Sequence, residues 1–484
     1  MQNFSSTRAT WASRLGLVAL IAATALAQPV AAHAAISLGT THLPTVIVSP
    51  TGNDAAAGTV AHPLRTLAAA ARRLTRDGGG KMELRGGTYH ERLTLHAVHD
   101  IRIVAYRGEH PKLSGAGLRP PTGLTAMITI DGSRNITIDG LDITAYRTAE
   151  LDHTPAGIYL HGGDTGIRIA HNHVHRIGND NRTLGSFDIN AHGIAVYGDN
   201  PKWPISGLLI VDNEVDHLVL GASESVVVNG NVDGWAISSN YIHDNNNIGI
   251  DVIGYESTLP AAYRYTVTNR ARHGVIAHNR VTNIISQGNP AYYEDGSYCN
   301  CADGIYIDGG THIMVSANTM NHDDIGLEVA AENPRGSADH IDSNHNTISS
   351  SAYVGIATGG YCDGGRDCGA TKTGKAHDNS FTYNTLTNNN QLNDGSPEIL
   401  VQFYVHRTTF AYNHITANHP EIYGTPSRSD HVSGQSRSDH NAFTLFGIPA
   451  AQATFGWLGH TYTGLRSFQL CTGQDRHSTI SSSP

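Results

Sequence analysis

Charge is scarce in this 484-residue chain. Asp, Glu, Lys and Arg make up 15% of it, against about 25% in an average soluble domain. Lysine is the scarcest of the four, with only Lys81, Lys112, Lys202, Lys372 and Lys375. A surface for nucleic-acid phosphates needs clustered cations, so with 32 basic against 42 acidic residues and a net charge of −10 a nucleic-acid partner is excluded. Disorder is excluded as well, because 39% of the chain is hydrophobic and disordered chains join high net charge to little apolar content. Long apolar runs are lacking beyond the N-terminus. There, Arg8 and Arg14 precede an apolar run from Leu15 to Ala27, and Ala32-His33-Ala34 supplies small residues in an A-x-A pattern. The run is shorter than the ~20 residues of a spanning helix and fits a secretory signal peptide over 1–34. The mature protein is expected to be secreted or periplasmic, with no membrane attachment once the leader is cleaved.

Cysteine is sparse too. Cys299 and Cys301 fall in one loop, Cys362 and Cys368 in another, and Cys471 stands alone. An exported chain meets an oxidising compartment, so disulfides are the better reading of the two pairs than a metal site. A bridge between the two loops would pin neighbouring excursions together. Cys471 is expected to be a buried thiol.

Glycine, at 52 residues, and asparagine are abundant, and they repeat. An Asn followed within two residues by an apolar residue recurs at Asn135, Asn172, Asn213, Asn240, Asn279, Asn318, Asn346, Asn384 and Asn413. A second phrase follows most of these, as in Gly157-Ile158-Tyr159, Gly193-Ile194-Ala195, Gly249-Ile250-Asp251, Gly304-Ile305-Tyr306, Gly326-Leu327-Glu328 and Gly355-Ile356-Ala357. Apolar and variable residues alternate in it, the period of a strand with one buried face. Repeats of 20 to 40 residues built from short strands cannot bury that face alone and must stack. Asparagine suits the bend between strands because it tolerates left-handed backbone, and its amides can hydrogen-bond along a stack. The variable spacing argues against a propeller, whose blades have a steadier period. The expected fold is all-β, a right-handed parallel β-helix. An Ala-rich helix ending near Leu74 would act as the N-terminal cap. Residues 35–125 would hold that cap and the first coils, 126–430 the repeats with their groove loops, and 431–484 a C-terminal capping segment.

Outward positions of one strand stack into columns about 4.8 Å apart. Aligning the Gly-Ile phrases places Tyr159, Ala195, Asp251, Tyr306, Glu328 and Ala357 in one outward column. On consecutive rungs, Asp251 and Glu328 would stand about 10 Å apart with Tyr306 between them. Around them the segment 243–332 gathers Asp244, Glu256, Tyr263, Arg264, Tyr293, Asp303, Asp308, Asp323 and Asp324. Tyrosines stack on sugar faces, and carboxylates and arginine take hydroxyls. Glu256, Tyr263, Arg264, Tyr293, Asp303, Tyr306 and Asp308 are therefore expected to bind a glycan, with Asp244, Asp251 and Glu328 as catalytic groups. An Asp before a strand, such as Asp244 or Asp323, also serves as a turn-former. His171, His173 and His175 alternate as metal ligands can, but with 29 histidines scattered through the turns a solvated surface is the better reading.

The opening Val46-Ile47-Val48-Ser49-Pro50, the Gly86-Gly87-Thr88-Tyr89, the Asn-x-Ile rungs and the tail from Phe455-Gly456-Trp457 to His477-Ser478 resemble secreted bacterial β-helix proteins of the pectate-lyase-like superfamily. The likeness spans nearly the whole mature chain and implies fold more than substrate. Asp244 and Asp251, seven residues apart across a bend, look like the aspartate pair of glycoside hydrolase family 136. That resemblance implies Asp244 as acid/base and Asp251 as nucleophile of a cofactor-free hydrolase. Asp303-Gly304-Ile305, then Asp324 and Glu328, resemble instead the calcium cluster of family 9 pectate lyases, which implies Ca²⁺ held by Asp303, Asp324 and Glu328. Such a lyase needs a lysine base, and Ala357 stands at the matching place. A glycan hydrolase is the leading reading, a calcium-dependent lyase the second, and a non-catalytic glycan-binding β-helix the third.

Overall fold

The computed structural model describes residues 44–364 and 374–484. The leader expected over 1–34, and Cys368, lie outside the described residues. Strands sort into three long sheets of 15, 13 and 13 strands whose neighbours come from successive repeats. Pairing is parallel throughout, except for the hairpin of Tyr293–Glu294 with Ser297–Tyr298 and the final pair Thr454–Trp457 with His460–Thr463. Each repeat thus gives one strand to each sheet in turn, and the chain climbs a three-sided parallel β-helix. Ile194, Val226, Ile250, Ile305, Leu327 and Ile356 are fully buried and register across the third sheet. Each such side chain stabilises the stack by about 1.5–3 kcal/mol relative to exposure. The glycine of each phrase is needed where coils meet. A Cβ on Gly249 would lie 2.5 Å from the Gly304 carbonyl oxygen.

Asparagine works differently from expectation. Asn172, Asn213, Asn240, Asn279, Asn318, Asn346, Asn384, Asn413 and Asn441 form one buried ladder. In it each backbone N–H and side-chain Nδ2 donates to the next Oδ1, as at 3.0 Å for both bonds from Asn240 to Asn279. The left-handed residue of the bend is the one before each of these. His171, Asp212, Ser239, His278, Ala317, His345, Tyr383, Tyr412 and His440 all have φ between 52° and 60°. The corner thus tolerates any side chain that points to solvent, while the asparagine is chosen for its amide. Asn135 is not a rung of this ladder. It is exposed, left-handed itself, and donates to Asp100, whereas Asn172 accepts from Leu141 one turn later. A second line of turn bonds ends at Glu398, fully buried, which accepts from the N–H and Nδ2 of Asn389 and meets His419 Nε2 at 3.2 Å.

Near the start, the helix Leu67–Arg76 is capped by the Thr66 hydroxyl, which accepts from the Ala69 N–H. It buries Leu67, Ala70, Ala71 and Leu74 against the strands Thr45–Val48 and Gly80–Leu84. Two cysteine expectations are corrected. Cys299 is bonded to Cys301 within its own loop, not to the neighbouring loop. Cys471 is exposed, because the helix Leu465–Thr472 turns Leu465 and Phe468 inward and leaves its last turn in solvent. Among the described residues no helix is long and apolar enough to cross a membrane.

Candidate active site

On the outer face of the third sheet one column reads Tyr159, Ala195, Val227, Asp251, Tyr306, Glu328, Ala357. Asp251 and Glu328 sit on rungs either side of Tyr306, with backbones about 10 Å apart. Val227 is an added rung, because its strand opens with Ser225 in place of the glycine of the repeated phrase. Two residues before the inward residue, at the corner where each strand begins, stand Glu224 ahead of Val226 and Asp303 ahead of Ile305. Asp308, two residues after Tyr306, adds a fifth acid. All five are buried, although they lie outside the β-helix core.

Burial of so many acids has an electrostatic cost, and they meet it by holding protons. Burial, then the Glu256 charge, pushes Glu224 up to about 8, and burial, with the Glu332 charge adding to it, pushes Glu328 up to about 7. Asp251 is raised well above the carboxylate range by burial and then by Glu224 and Asp308. Burial and Glu328 do the same to Asp303, and burial and Glu332 to Asp308. Oδ1 of Asp251 and Oδ1 of Asp303 have no hydrogen-bond partner, a state that costs about 1–3 kcal/mol per group and that folded proteins keep chiefly where function needs it. Glu328 Oε1 accepts from the Tyr361 hydroxyl at 2.9 Å, and that hydroxyl lies 2.6 Å from the Tyr306 hydroxyl. His192 Nδ1 donates to the Glu224 carbonyl at 3.2 Å, and burial lowers this ring to about 4, so it is neutral at pH 7. Exposed Glu256, held by Asn229 Nδ2 at 2.9 Å, and exposed Glu332, whose N–H bonds Asp308 Oδ1, mark the rim.

The structure therefore gathers Asp251, Asp303, Tyr306, Asp308 and Glu328, with Glu256 beside them. It does not bring Asp244 there. Seven residues carry the chain round a corner, so Asp244 lies on the second sheet, exposed, with Oδ2 2.6 Å from His243 Nδ1 and Oδ1 bonded by Asn283. Tyr263 is exposed on a turn, Arg264 donates to the Tyr255 carbonyl, and Tyr293 meets Tyr298 in the hairpin. Among the described residues none of these three bonds to the acids. In the calcium set Asp303, Asp324 and Glu328, the two aspartates each keep a buried Oδ1 without a hydrogen-bond partner. The other oxygen of Asp324, Oδ2, accepts from Ser286 N–H, Ser286 Oγ–H and Ala302 N–H at 2.8, 2.5 and 3.1 Å. Glu224, Tyr361, Glu332 and His192 escaped sequence reading. Glu224 had a signal, since aligning Ser225-Val226-Val227 with the Gly-Ile phrase puts it level with Asp303. A groove of about 590 Å³ lined by Arg72, Arg76, Arg92 and His96 lies beside the first helix and contains none of these acids.

No protein-family model matches the chain. Over 436 residues it is 32% identical to the uncharacterized protein YwoF of Bacillus subtilis, covering 89% of this chain and 86% of that protein. The chain belongs to the YwoF family. Among solved structures, the family 136 lacto-N-biosidase from Eubacterium ramulus has a TM-score of 0.51 at 14% identity, over 83% of this chain and 68% of that one. The A-module of the Azotobacter vinelandii mannuronan C-5 epimerase AlgE6 has a TM-score of 0.45 at 15% identity, over 86% and 94% of the two chains. Pectate lyase Pel9A has 0.43 at 12%, over 71% and 78%. The YwoF family member thus shares the parallel β-helix fold of carbohydrate-active proteins, and at these identities the likeness is one of fold.

Proposed function

We propose that this YwoF-family protein is a glycan-cleaving enzyme, a glycoside hydrolase that uses Asp251 and Glu328. The observation that carries the reading is their place in one buried outward column, two rungs apart. Asp251, the acid held more firmly protonated, gives its proton to the glycosidic oxygen as the bond from the anomeric carbon to that oxygen breaks. Glu328, ionised near neutral pH, takes a proton from the water whose oxygen attacks the anomeric carbon. Carboxyls on opposite faces with room for water stand about 6.5–9.5 Å apart in inverting enzymes and about 5–5.5 Å in retaining ones. A two-rung separation favours inversion. The Tyr306–Tyr361 hydroxyl pair links to Glu328 and keeps it hydrogen-bonded as its charge changes. A net charge of −10 favours a neutral glycan over a polyuronate. Ala357 at the place of a lyase base weighs against calcium-assisted elimination. A panel of neutral and uronate glycans tests this. Chelator-resistant release of reducing ends is expected, and chelator-sensitive formation of unsaturated uronates would overturn it.

A further inference from the structure

On the second sheet, away from the acids of the third, three consecutive strands, His173–His175, Glu214–Asp216 and Tyr241–Asn245, stack in parallel. Their register places His173 beside Glu214, and puts His175, Asp216 and His243 in the next column. Asp216 is buried at the centre. Its Oδ2 lies 2.6 Å from His173 Nε2 and 3.6 Å from His243 Nε2, and His243 Nε2 lies 3.3 Å from Glu214 Oε1. Donor atoms of His173, His175 and Asp216, and of Glu214, Asp216 and His243, lie close enough together to hold an ion.

We propose that His173 Nε2, Glu214 Oε1, Asp216 Oδ2 and His243 Nε2 form a binding site for one divalent first-row metal ion of the Zn²⁺ class. Four ligands at 2.0–2.2 Å around a tetrahedral ion are about 3.3–3.6 Å from one another. The His243–Glu214 and His243–Asp216 distances already have that span, whereas His173, close to Asp216 but grouped with His175 and not with Glu214 and His243, must lengthen its Asp216 contact and turn in as the fourth ligand. A separate observation comes from the far side of the His243 ring. Its Nδ1 lies 2.6 Å from Asp244 Oδ2, and Asp244 is fixed in turn by Asn283. Donation from Nδ1 to a carboxylate leaves the Nε2 lone pair directed at two further carboxylate oxygens, an arrangement that a cation between them would stabilise. Carboxylate, imidazole and metal in line is the usual support of zinc-bound histidine. Tyr241 stacks on the His243 ring at 3.9 Å, and His175 on His173 at 4.0 Å, so both rings are held in orientation. His173 and Glu214 are partly exposed and leave a way in from solvent. The group His312, Asp339 and His340 is less suited, because Asp339 is taken by Arg270 at 2.5 Å. This assigns Asp244 a positioning part in the metal site and replaces the solvated-surface reading of His173 and His175. His171 stays outside, at a left-handed corner with Asp139.

The site stands independently of the glycosidase reading, and so does its test. The full chain, dialysed against chelator and then against buffer, is titrated with Zn²⁺ alone by calorimetry, with Co²⁺ as a spectroscopic stand-in. One equivalent should bind, with the intense visible bands of tetrahedral Co²⁺. Asp216→Asn should abolish stoichiometric uptake, and Asp244→Asn should weaken it about 10–100-fold. Should Asp216→Asn lose its folded circular dichroism, His173→Gln, at the exposed edge, replaces it with the same expectation. Absence of a one-equivalent phase, or uptake unchanged in a folded Asp216→Asn or His173→Gln variant, would overturn the proposal and leave the cluster as a proton-held ladder.

Discussion

Asp251 and Glu328 are two rungs apart in a single outward column, with the Tyr306 ring on the rung between. If the first gives the proton and the second activates water, Asp251→Asn should lower kcat on a responsive glycan at least about a hundredfold. Burial holds the Asp251 proton well above the usual carboxylate range, so the neutral amide should leave the unfolding midpoint nearly unchanged. Activity within tenfold of wild type would remove Asp251 from the reaction. Release of the inverted anomer, read by proton NMR during turnover, checks the two-rung geometry.

The same buried acids make stability depend on pH. In the unfolded chain Glu224 and Glu328 ionise near 4.5, while the folded chain keeps their protons to about 8 and about 7. Between those values the folded state binds more protons, so stability falls as pH rises from about 4.5 to about 8. Urea unfolding across this window should show the decline, and Glu224→Gln should flatten it. A flat wild-type profile would count against proton-holding acids.

His419 titrates with the same sign in a higher window. Burial alone would lower it, but Glu398 and Glu421 hold it at about 9. Its contribution to stability is complete below about 6.5 and is lost as pH rises through about 9. His419→Ala removes the partner of fully buried Glu398 and should cost about 3–5 kcal/mol by denaturant unfolding. A cost under 1 kcal/mol would mean that Asn389 alone satisfies Glu398.

Neighbouring residues at one corner should respond in opposite directions. Asn318→Ala leaves the N–H and Nδ2 of Asn279 without their acceptor and should destabilise by at least about 2 kcal/mol. Ala317→Gly, one residue earlier at φ 55°, relieves a Cβ clash worth about 1–2 kcal/mol against a smaller entropy cost. A net gain of about 0.5–1 kcal/mol is expected. Thermal unfolding of both variants checks the division of labour between the bend residue and the asparagine.

The stacked fold and the Tyr159-to-Ala357 column were legible in sequence because the glycine and inward isoleucine of each phrase repeat a local requirement on every rung. Val227 and Glu224 were missed where Ser225 stands in place of that glycine, at a corner that a hydroxymethyl can still fit. Asp244 was misjudged because counting seven residues says nothing of the sheet change between them. The role of asparagine was only half visible. Its spacing marks the ladder, yet composition cannot tell a left-handed corner from a buried amide next to it. Tyr361 and Glu332 come from loops between rungs, where no period applies, so only the folded chain brings them to Glu328 and Asp308.

The asparagine ladder has a direction. Every rung donates toward the C-terminus, and the last, Asn441, gives its N–H to Ser478 Oγ at 2.7 Å and its Nδ2 to Asp475 Oδ1 at 2.9 Å. A coil at the C-terminal end of the stack therefore shows water two donors that the next coil takes up on docking, while a coil at the other end shows acceptors. The two ends of the stack are thus chemically unlike, and the tail that carries Asp475 and Ser478 closes the donor end.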